Sequence, residues 1–487
     1  MEKPSIKKNY IYDTLYHGMT FFIPLITAPY LSRILGPDGV GTFSYLVSIQ
    51  TYFSMFTALG TITYGARAIA QNRDNQYEIS RLFWEIEILT IAAAGVTLSA
   101  WLGLIIYLEE YRWYLTALTM CILGTVFDIS WFFSGLEQYK YIALRNTFFK
   151  FLGLILLFIF VKSEKDLLYY FIVYSLTALL SGLSMWIKIR KFIVPIKINE
   201  LHIKLHFKET LVYFIPTIAT SIYTVLDKTL IGLITKESVQ NGYYEQANQI
   251  INIAKTVTFG SMNTVIGTRL SYLFAKNQIE EAKDKIEQSF DFVFLIGFGC
   301  LFGILGVADT LVPLYFGKRF EPVEGLLYIL APIIIIISIS ACLGSQYYIP
   351  AGKRAQSAKY LILGSIVNLI LNIFLIPLLK AKGASMASVI AELFIAGMYI
   401  RNCDGFFSIR KMITLSKYKI IAGGLMFTVI KFLMQFLPAA SQLLYLVLQV
   451  ICGMGVYLVL LFILKDTSII KLKMISGRKY GRKDNSK

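Results

Sequence analysis

Charged residues occur inside stretches of this sequence that are otherwise apolar enough to cross a membrane. Asp227 and Lys228 lie side by side in the run SIYTVLDKTLIGLI at 221–234. A charge at the centre of a spanning helix costs about 2.5–3.5 kcal/mol on insertion scales, and such residues nearly always face a bundle interior or a water-filled cavity. The in-span charges therefore indicate a polar path; they are Asp128, Arg145, Lys150, Asp227, Lys228, Lys255, Glu392 and Lys431, with Arg67 and Arg269 at span ends.

The composition is that of a helical membrane protein. Of the 487 residues, 56% are hydrophobic and 16% are charged, whereas a soluble domain carries roughly 25% charged residues. The net charge of +17 does not indicate a nucleic-acid partner, because Lys and Arg are concentrated in alternate loops, most heavily at 188–208, 401–419 and 465–487. This asymmetry is the positive-inside bias, so we expect both termini in the cytoplasm and contact between the basic loops and anionic lipid.

The apolar runs predict an all-α polytopic protein with about 14 transmembrane helices. Short similarities recur in the same order in both halves, such as FFIP at 21–24 with YFIP at 213–216. They predict two six-helix lobes in a pseudo-twofold parallel repeat, an arrangement typical of secondary transporters. The predicted division is an N-terminal lobe at 1–195, a cytoplasmic linker at 196–208, a C-terminal lobe at 209–405, two appended spans at 418–464 and a basic cytoplasmic tail at 465–487.

Helical spacing refines the expected roles of these charges. Lys255 and Arg269 are 14 positions apart, so a regular helix would place them on one face about 21 Å apart. Asp227 and Lys228 point about 100° apart, so we expect one to line a cavity and the other to pair with a neighbouring helix. Lys431, in an appended span, is expected to face lipid or headgroups. In the linker, His202 and His206 are expected on a solvated interfacial segment rather than as metal ligands.

Motifs for chemistry are absent from the sequence. It contains neither the GxxxxGK[ST] phosphate-binding loop nor a GxSxG nucleophile with partners, and it has no carboxylate pair on a long outward loop. We therefore expect no enzymatic activity, no cofactor and no metal.

Several stretches resemble the Wzx-type polysaccharide flippases of the multidrug/oligosaccharidyl-lipid/polysaccharide exporter superfamily. They are PYLSRILGPDGVGTFSY at 29–45, LDKTLIG at 226–232, NGYYEQA at 241–247 and IGTRLS at 266–271. The resemblance implies a multi-pass flippase of the plasma or inner membrane. Its substrate would be a polyprenyl-diphosphate-linked oligosaccharide, carried to the outer leaflet by alternating access through a cationic cavity. The product would serve capsule, O-antigen or teichoic-type polymer assembly, alongside polysaccharide polymerase machinery.

The resemblance also assigns roles to residues. It implies substrate binding by cations, namely Arg33, Arg67, Lys228, Lys255 and Arg269. The acids Asp128, Asp227 and Glu392 would balance these charges or carry a coupling proton or sodium ion. Thr268 departs from the pattern, because the family often has Pro at this position.

Two other functions are weighed against the flippase. A drug/cation antiporter of the same superfamily would favour an acidic cavity, whereas bases outnumber acids among the deep and mouth positions here. A membrane polysaccharide polymerase would need a long outward loop with catalytic residues, which the sequence lacks.

Overall fold

The computed structural model describes residues 6–436 and 441–468, which form helices and turns without a strand. The predicted basic tail lies outside the described residues from position 469 onward. The chain packs as two compact units, unit 1 up to Gly242 and unit 2 from Tyr243. The predicted seventh span, at about 209–234, packs within unit 1, although the repeat-based division assigns it to the C-terminal lobe. Packing does not test an internal repeat, so that division remains a prediction.

Unit 1 is a bundle in which two helices approach closely through glycines. A Cβ on Gly182 would lie 2.7 Å from the carbonyl oxygen of Gly124, so no larger side chain fits where these two helices cross. The helices are α1 (Ile6–Ala58), α2 (Thr61–Asn72), α3 (Gln76–Tyr107), α4 (Arg112–Phe127), α5 (Ser130–Gly135), α6 (Tyr139–Phe160), α7 (Leu167–Ile189) and α8 (Ile203–Thr235), with 3₁₀ turns at Glu109–Tyr111, Glu164–Asp166 and Ile198–Glu200.

Helix α1 is broken at Gly36, between the first two predicted spans. Gly36 has φ 66° and ψ −178°, a conformation that is essentially restricted to glycine. Pro37 follows and has no N–H to continue the helix. The GPDG stretch at 36–39 therefore produces the boundary that the hydropathy pattern predicts there.

The start of α8 is anchored by a buried histidine. His206 Nε2 lies 2.7 Å from Glu85 Oε2 on α3, and its Nδ1 lies 2.6 Å from the Tyr64 hydroxyl on α2. The backbone N–H of His202 donates to the same Glu85 carboxylate. The expectation of a solvated histidine is therefore wrong for His206, because α8 packs onto α2 and α3 at this point.

Unit 2 is built around the long helix α11, which packs against α10, α12, α13, α16 and α17. Helix α14 and helix α15 form an antiparallel pair in close contact, since a Cβ on Gly383 would lie 2.2 Å from the Leu375 carbonyl oxygen. The helices are α9 (Ser238–Lys255, which begins in unit 1), α10 (Ser261–Ala275), α11 (Ile279–Tyr315), α12 (Val323–Leu330), α13 (Ile333–Leu343), α14 (Arg354–Leu379), α15 (Ala381–Arg401), α16 (Ile409–Phe436) and α17 (Gln442–Ile463), with π turns at Thr256–Gly260 and Gly344–Tyr348 and a 3₁₀ turn at Lys318–Phe320.

The last two helices are held on α11 by an apolar cluster and by ion pairs. Leu295 and Val307 of α11 pack with Met426 and Tyr457 of α16 and α17. Lys431 forms a 2.7 Å ion pair with Asp309 of α11. The expectation that Lys431 faces lipid or headgroups is therefore wrong: the sequence gives no sign of a partner that lies 122 positions away.

Among the described residues, nine helices are long and apolar enough to cross a membrane, or ten if the bent pair α12–α13 is one span. The chain is thus a multi-pass membrane protein. The other predicted spans correspond to α1, broken at Gly36, to α8, and to α9 with α10. The count of 14 and the orientation of the termini stay predictions.

Candidate functional site

Unit 1 contains a cavity of about 1010 Å³. Its wall comes from α1, α2 and α4 to α8, so it lies inside one compact unit. Apolar side chains alternate with hydroxyl groups around it, including those of Thr51, Ser54, Thr125 and Thr177. Such a mixed lining is typical of sites that bind small polar molecules.

Helix α6 supplies the cations of this cavity. Ile142, Arg145, Asn146, Phe149, Lys150 and Gly153 all line it, at the three- and four-residue spacing of one helical face. Arg145 Nη1 donates a 2.7 Å hydrogen bond to the carbonyl oxygen of Ser181 on α7, and Nη2 donates to Asn146 Oδ1. The guanidinium is therefore held in the wall by the α6–α7 contact.

Asp128 is the acid of the same cavity. It follows the last residue of α4, and its Oδ1 accepts a 3.0 Å hydrogen bond from the backbone N–H of Ser130 at the start of α5. The Asp128 carboxylate thus both stabilises the break between α4 and α5 and lines the cavity. With Arg145 and Lys150, the described lining holds two bases and one acid.

Asp227 and Lys228 lie on α8, on a stretch whose rotation is set by contacts with α1. The Thr229 hydroxyl lies 2.8 Å from the Ser48 hydroxyl, and a Cβ on Gly232 would clash with the Tyr45 ring. In this register Asp227 is buried and Lys228 is half-buried. The two adjacent side chains therefore differ in burial.

The two other predicted cations of unit 1, Arg33 and Arg67, have exposed side chains. Arg33 lies on α1, three residues before the Gly36 break. Arg67 lies on α2, where its Nη1 donates to the Tyr213 hydroxyl on α8. Arg67 thereby links the two helices that also share the His206 contact.

In unit 2, a π turn separates Lys255 from Arg269, which the sequence predicts on one helical face. Lys255 is the last residue of α9, and Thr256–Gly260 form the π turn before α10 begins. A π turn changes the rotation per residue, so the 14-residue spacing does not place Arg269 on the face of Lys255 by regular helical geometry. Lys255 Nζ lies 3.4 Å from Asn252 Oδ1, whereas Arg269 forms a 3.1 Å ion pair with Glu281.

Glu392 is buried between helices of unit 2. It lies on α15, 2% exposed, and its Oε1 has no hydrogen-bond partner among the described residues. The adjoining α14 buries Asn368 and Asn372, which share a hydrogen bond of 3.0 Å. In the described part of the chain, no three His, Cys, Asp or Glu side chains come together as a metal site.

The predicted site residues are distributed over several elements, among them α1, α2, α8, α9, α10 and α15. Asp128 alone among them lines the unit 1 cavity within the described residues. The cavity cations Arg145 and Lys150 are visible in the sequence as in-span charges, but the sequence does not select them as site residues. Their signal is the helical spacing with Asn146 on an otherwise apolar span.

Residues 6–267 match the family described as "Polysaccharide biosynthesis protein". The match covers more than half of the chain. The chain belongs to this family. The matched segment includes all of α1 to α9, and with them the unit 1 cavity, the Asp227–Lys228 pair and Lys255.

Individual proteins are also similar to the chain, two of them over about 400 residues. The chain is 24% identical over 408 residues to a protein of Escherichia coli K12 that is provisionally named an O-antigen transporter, and covers 98% of it and 82% of itself. It is 27% identical to a protein of the same name in Shigella dysenteriae, over 96% of that protein and 80% of this chain. A flippase of Haloferax volcanii, provisionally assigned to low-salt glycan biosynthesis and named Agl15, is 24% identical over about half of each chain.

Two solved structures have folds similar to that of this chain. The lipid II flippase MurJ, in an inward closed conformation, has a TM-score of 0.73 at 14% identity and covers 96% of this chain and 100% of its own. An inward-facing multidrug transporter of the MATE family has a TM-score of 0.58 at 12% identity, over 84% of this chain and 94% of its own. The helical fold predicted from the sequence is therefore of the MurJ and MATE type.

Proposed function

We propose that the chain is a flippase for a polyprenyl-diphosphate-linked oligosaccharide. It moves this substrate from the cytoplasmic to the outer leaflet of the cell membrane by alternating access, with both termini in the cytoplasm. The translocated unit then enters capsule, O-antigen or teichoic-type polymer assembly. The relatives described above are named as transporters or flippases, which supports a transporter rather than an enzyme.

The observation that carries the proposal is the position of Lys228. It is a half-buried cation within a helix of 33 residues, beside the buried Asp227 and in a stretch that resembles the polysaccharide flippases. A lysine that serves only solubility would lie at a helix end, because a charge inside a span is costly. An ammonium at this depth is suited to a multiply charged anion that must leave water.

The diphosphate of the carrier lipid is such an anion, and Lys and Arg side chains can bind its phosphate oxygens. Charge-assisted hydrogen bonds between Lys or Arg and phosphate oxygens are roughly twice as strong as neutral ones. We propose that Lys228 acts with Arg33, Arg67, Lys255 and Arg269 at successive stages of transport. Export of an anion from a negative interior gains about 2.3 kcal/mol per charge per 100 mV, which aids the outward step.

The acids have a complementary role in this proposal. Asp227 keeps the site from holding uncompensated positive charge when no substrate is bound, and Asp128 and Glu392 do so elsewhere in the chain. A coupling proton or sodium ion would bind at one of these three carboxylates. The polyprenyl chain stays in the lipid throughout, because its transfer to a polar site would be unfavourable.

Complementation of a flippase-deficient bacterial strain tests the function. The wild-type chain is expected to restore the surface polymer, and Lys228→Gln is expected to lose most of this activity at equal membrane abundance. Lys165→Gln, which changes an exposed lysine of a surface turn in unit 1, is the matched control. Export of cationic drugs without restored polymer would instead identify a drug antiporter.

A further inference from the structure

The cavity of unit 1 has the size and lining of a sugar site. Its volume of about 1010 Å³ lies at the upper end of the roughly 300–1,000 Å³ typical of small-molecule sites. The hydroxyls of Thr51, Thr125 and Thr177 donate to backbone carbonyls of their own helices, and their oxygens can also accept hydrogen bonds from sugar hydroxyls. The apolar side chains between them, such as Leu31 and Leu154, offer surface for the apolar faces of sugar rings.

The charges of the cavity favour an anion. Arg145 and Lys150 are both half-buried in the wall, about 7.5 Å apart along α6, against the one carboxylate of Asp128. The hydrogen bonds from Arg145 to Ser181 and Asn146 hold the guanidinium in place. A planar guanidinium held in this way is suited to bidentate binding of a carboxylate or phosphate group.

From this combination we infer that the unit 1 cavity is a glycan subsite that selects acidic repeat units. The recognised group is the carboxylate of an acidic sugar, bound by Arg145 and Lys150, and the surrounding hydroxyls hold the sugar rings. This inference rests on the proposed flippase function and adds the substrate class. It assigns the two cations to the glycan and leaves the carrier diphosphate to the other cations.

Three lipid probes distinguish the sources of negative charge. They are a polyprenyl diphosphate with a disaccharide that ends in glucuronate, the same lipid with glucose in place of glucuronate, and the polyprenyl diphosphate alone. Binding of each probe is measured with the full chain in lipid nanodiscs, for the wild type and for Arg145→Gln, Lys150→Gln, Arg145→Lys and the control Lys165→Gln.

We expect Arg145→Gln and Lys150→Gln each to weaken binding of the acidic probe by roughly 10- to 100-fold, as for the loss of a hydrogen bond to a charged group. The two other probes should bind these variants almost as they bind the wild type. Arg145→Lys should recover part of the loss because it keeps the charge, and Lys165→Gln should match the wild type. Asp128→Asn should tighten binding of the acidic probe, since it removes the carboxylate of the cavity.

Equal losses for the acidic and neutral probes, or a loss for the bare diphosphate, would overturn the inference. Arg145→Gln loses the Ser181 contact and could misfold; Lys150→Gln, which leaves that contact in place, then decides the outcome. A wild-type chain that binds both glycan probes equally, with no effect of either variant, refutes acidic selection only. A wild-type chain that binds none of the three probes refutes the proposed function itself.

Discussion

Lys419 Nζ lies 2.9 Å from Asp291 Oδ1, and both side chains are buried in unit 2. The same ammonium lies 3.0 Å from the buried Asp466 Oδ2, and the hydroxyls of Thr467 and Ser468 donate to Asp291. This cluster joins α11, the first half of α16 and the segment just after α17. Ion pairs as well as apolar packing therefore hold α16 and the segment after α17 on α11.

Removal of the ammonium should destabilise unit 2. Lys419→Met leaves two buried carboxylates without their cation, and the loss of one partner of a buried ion pair costs about 3–5 kcal/mol. We expect a clearly lower melting temperature and membrane abundance. Lys417→Met, two positions away and exposed, is the control. A melting temperature equal to the wild type for both variants would show that the cluster does not stabilise the fold.

The break in α1 should be intolerant of a side chain. Gly36→Ala places a Cβ on a residue with φ 66° and ψ −178°, which costs about 1–3 kcal/mol. A lower melting temperature of the purified chain is therefore expected. The control is Gly95→Ala, because a Cβ at Gly95 meets no atom within 4 Å and helical alanine is favourable. Equal stability of Gly36→Ala and wild type would contradict the conformation of the break.

A surface contact outside the spans should make stability depend on pH. The Lys353 ammonium and the Tyr347 hydroxyl lower the pKa of Asp404, and the Asp404 carboxylate with the same hydroxyl raises the pKa of Lys353. The contribution of Asp404 to the free energy of unfolding is therefore present above the ordinary aspartate pKa of about 3.9. It is lost as the pH falls through the lowered pKa of Asp404 in the folded chain. The contribution of Lys353 to the free energy of unfolding is present below the ordinary lysine pKa of about 10.4. It is lost as the pH rises through the raised pKa of Lys353 in the folded chain.

The measurement for this contact is a set of thermal melts of wild type and Asp404→Asn between pH 3 and pH 9. We expect a small, constant difference from about pH 5 to pH 9 that shrinks at lower pH. The difference is small because the Asp404 side chain is 60% exposed and that of Lys353 is 34% exposed. A difference that grows as the pH falls would show that the Lys353 contact does not lower the pKa of Asp404.

Cysteine labelling in intact cells tests the topology. In a variant without the native cysteines, Glu109→Cys and Ser441→Cys should both react from the outside. Both positions are exposed, and the short loops that contain them, at 108–112 and 437–441, are predicted to lie outside. Asp74→Cys, in a predicted cytoplasmic loop, should react only after permeabilisation. Protection of Ser441→Cys in intact cells would remove the last two spans from the predicted topology.

The fold could be predicted from local properties of the sequence. Apolar runs predict spans because the bilayer admits few other structures. The GPDG stretch at 36–39 predicts a break, because glycine and proline constrain the backbone locally. The π turn at Thr256–Gly260 could not be predicted in this way, because a turn of this kind depends on the packing around it.

The sequence predicts which charged residues lie inside the spans. It does not predict which of these side chains form ion pairs with each other. The sequence places Lys431 toward lipid, yet Asp309 lies beside it from a helix 122 positions earlier. Asp291 and Lys419 likewise pair across 128 positions. Arg145 and Lys150 are only in-span charges in the sequence, whereas in the structure residues of α1, α4 and α7 line a cavity together with their helix.

The most direct test of the central claim is translocation of a fluorescent polyprenyl-diphosphate oligosaccharide in proteoliposomes. The compared chains are wild type, Lys228→Arg, Lys228→Gln and the exchange of Asp227 with Lys228. We expect Lys228→Arg to keep part of the activity, because it keeps the cation, and Lys228→Gln to lose most of it. The exchange should be inactive, since adjacent positions point about 100° apart and the carboxylate then faces the diphosphate. Like charges at 4 Å repel by about 4 kcal/mol at an effective dielectric constant of 20. A fully active exchange variant at equal protein density would show that neither side chain contacts the substrate, and would contradict the assignment of Lys228 as the diphosphate-binding cation.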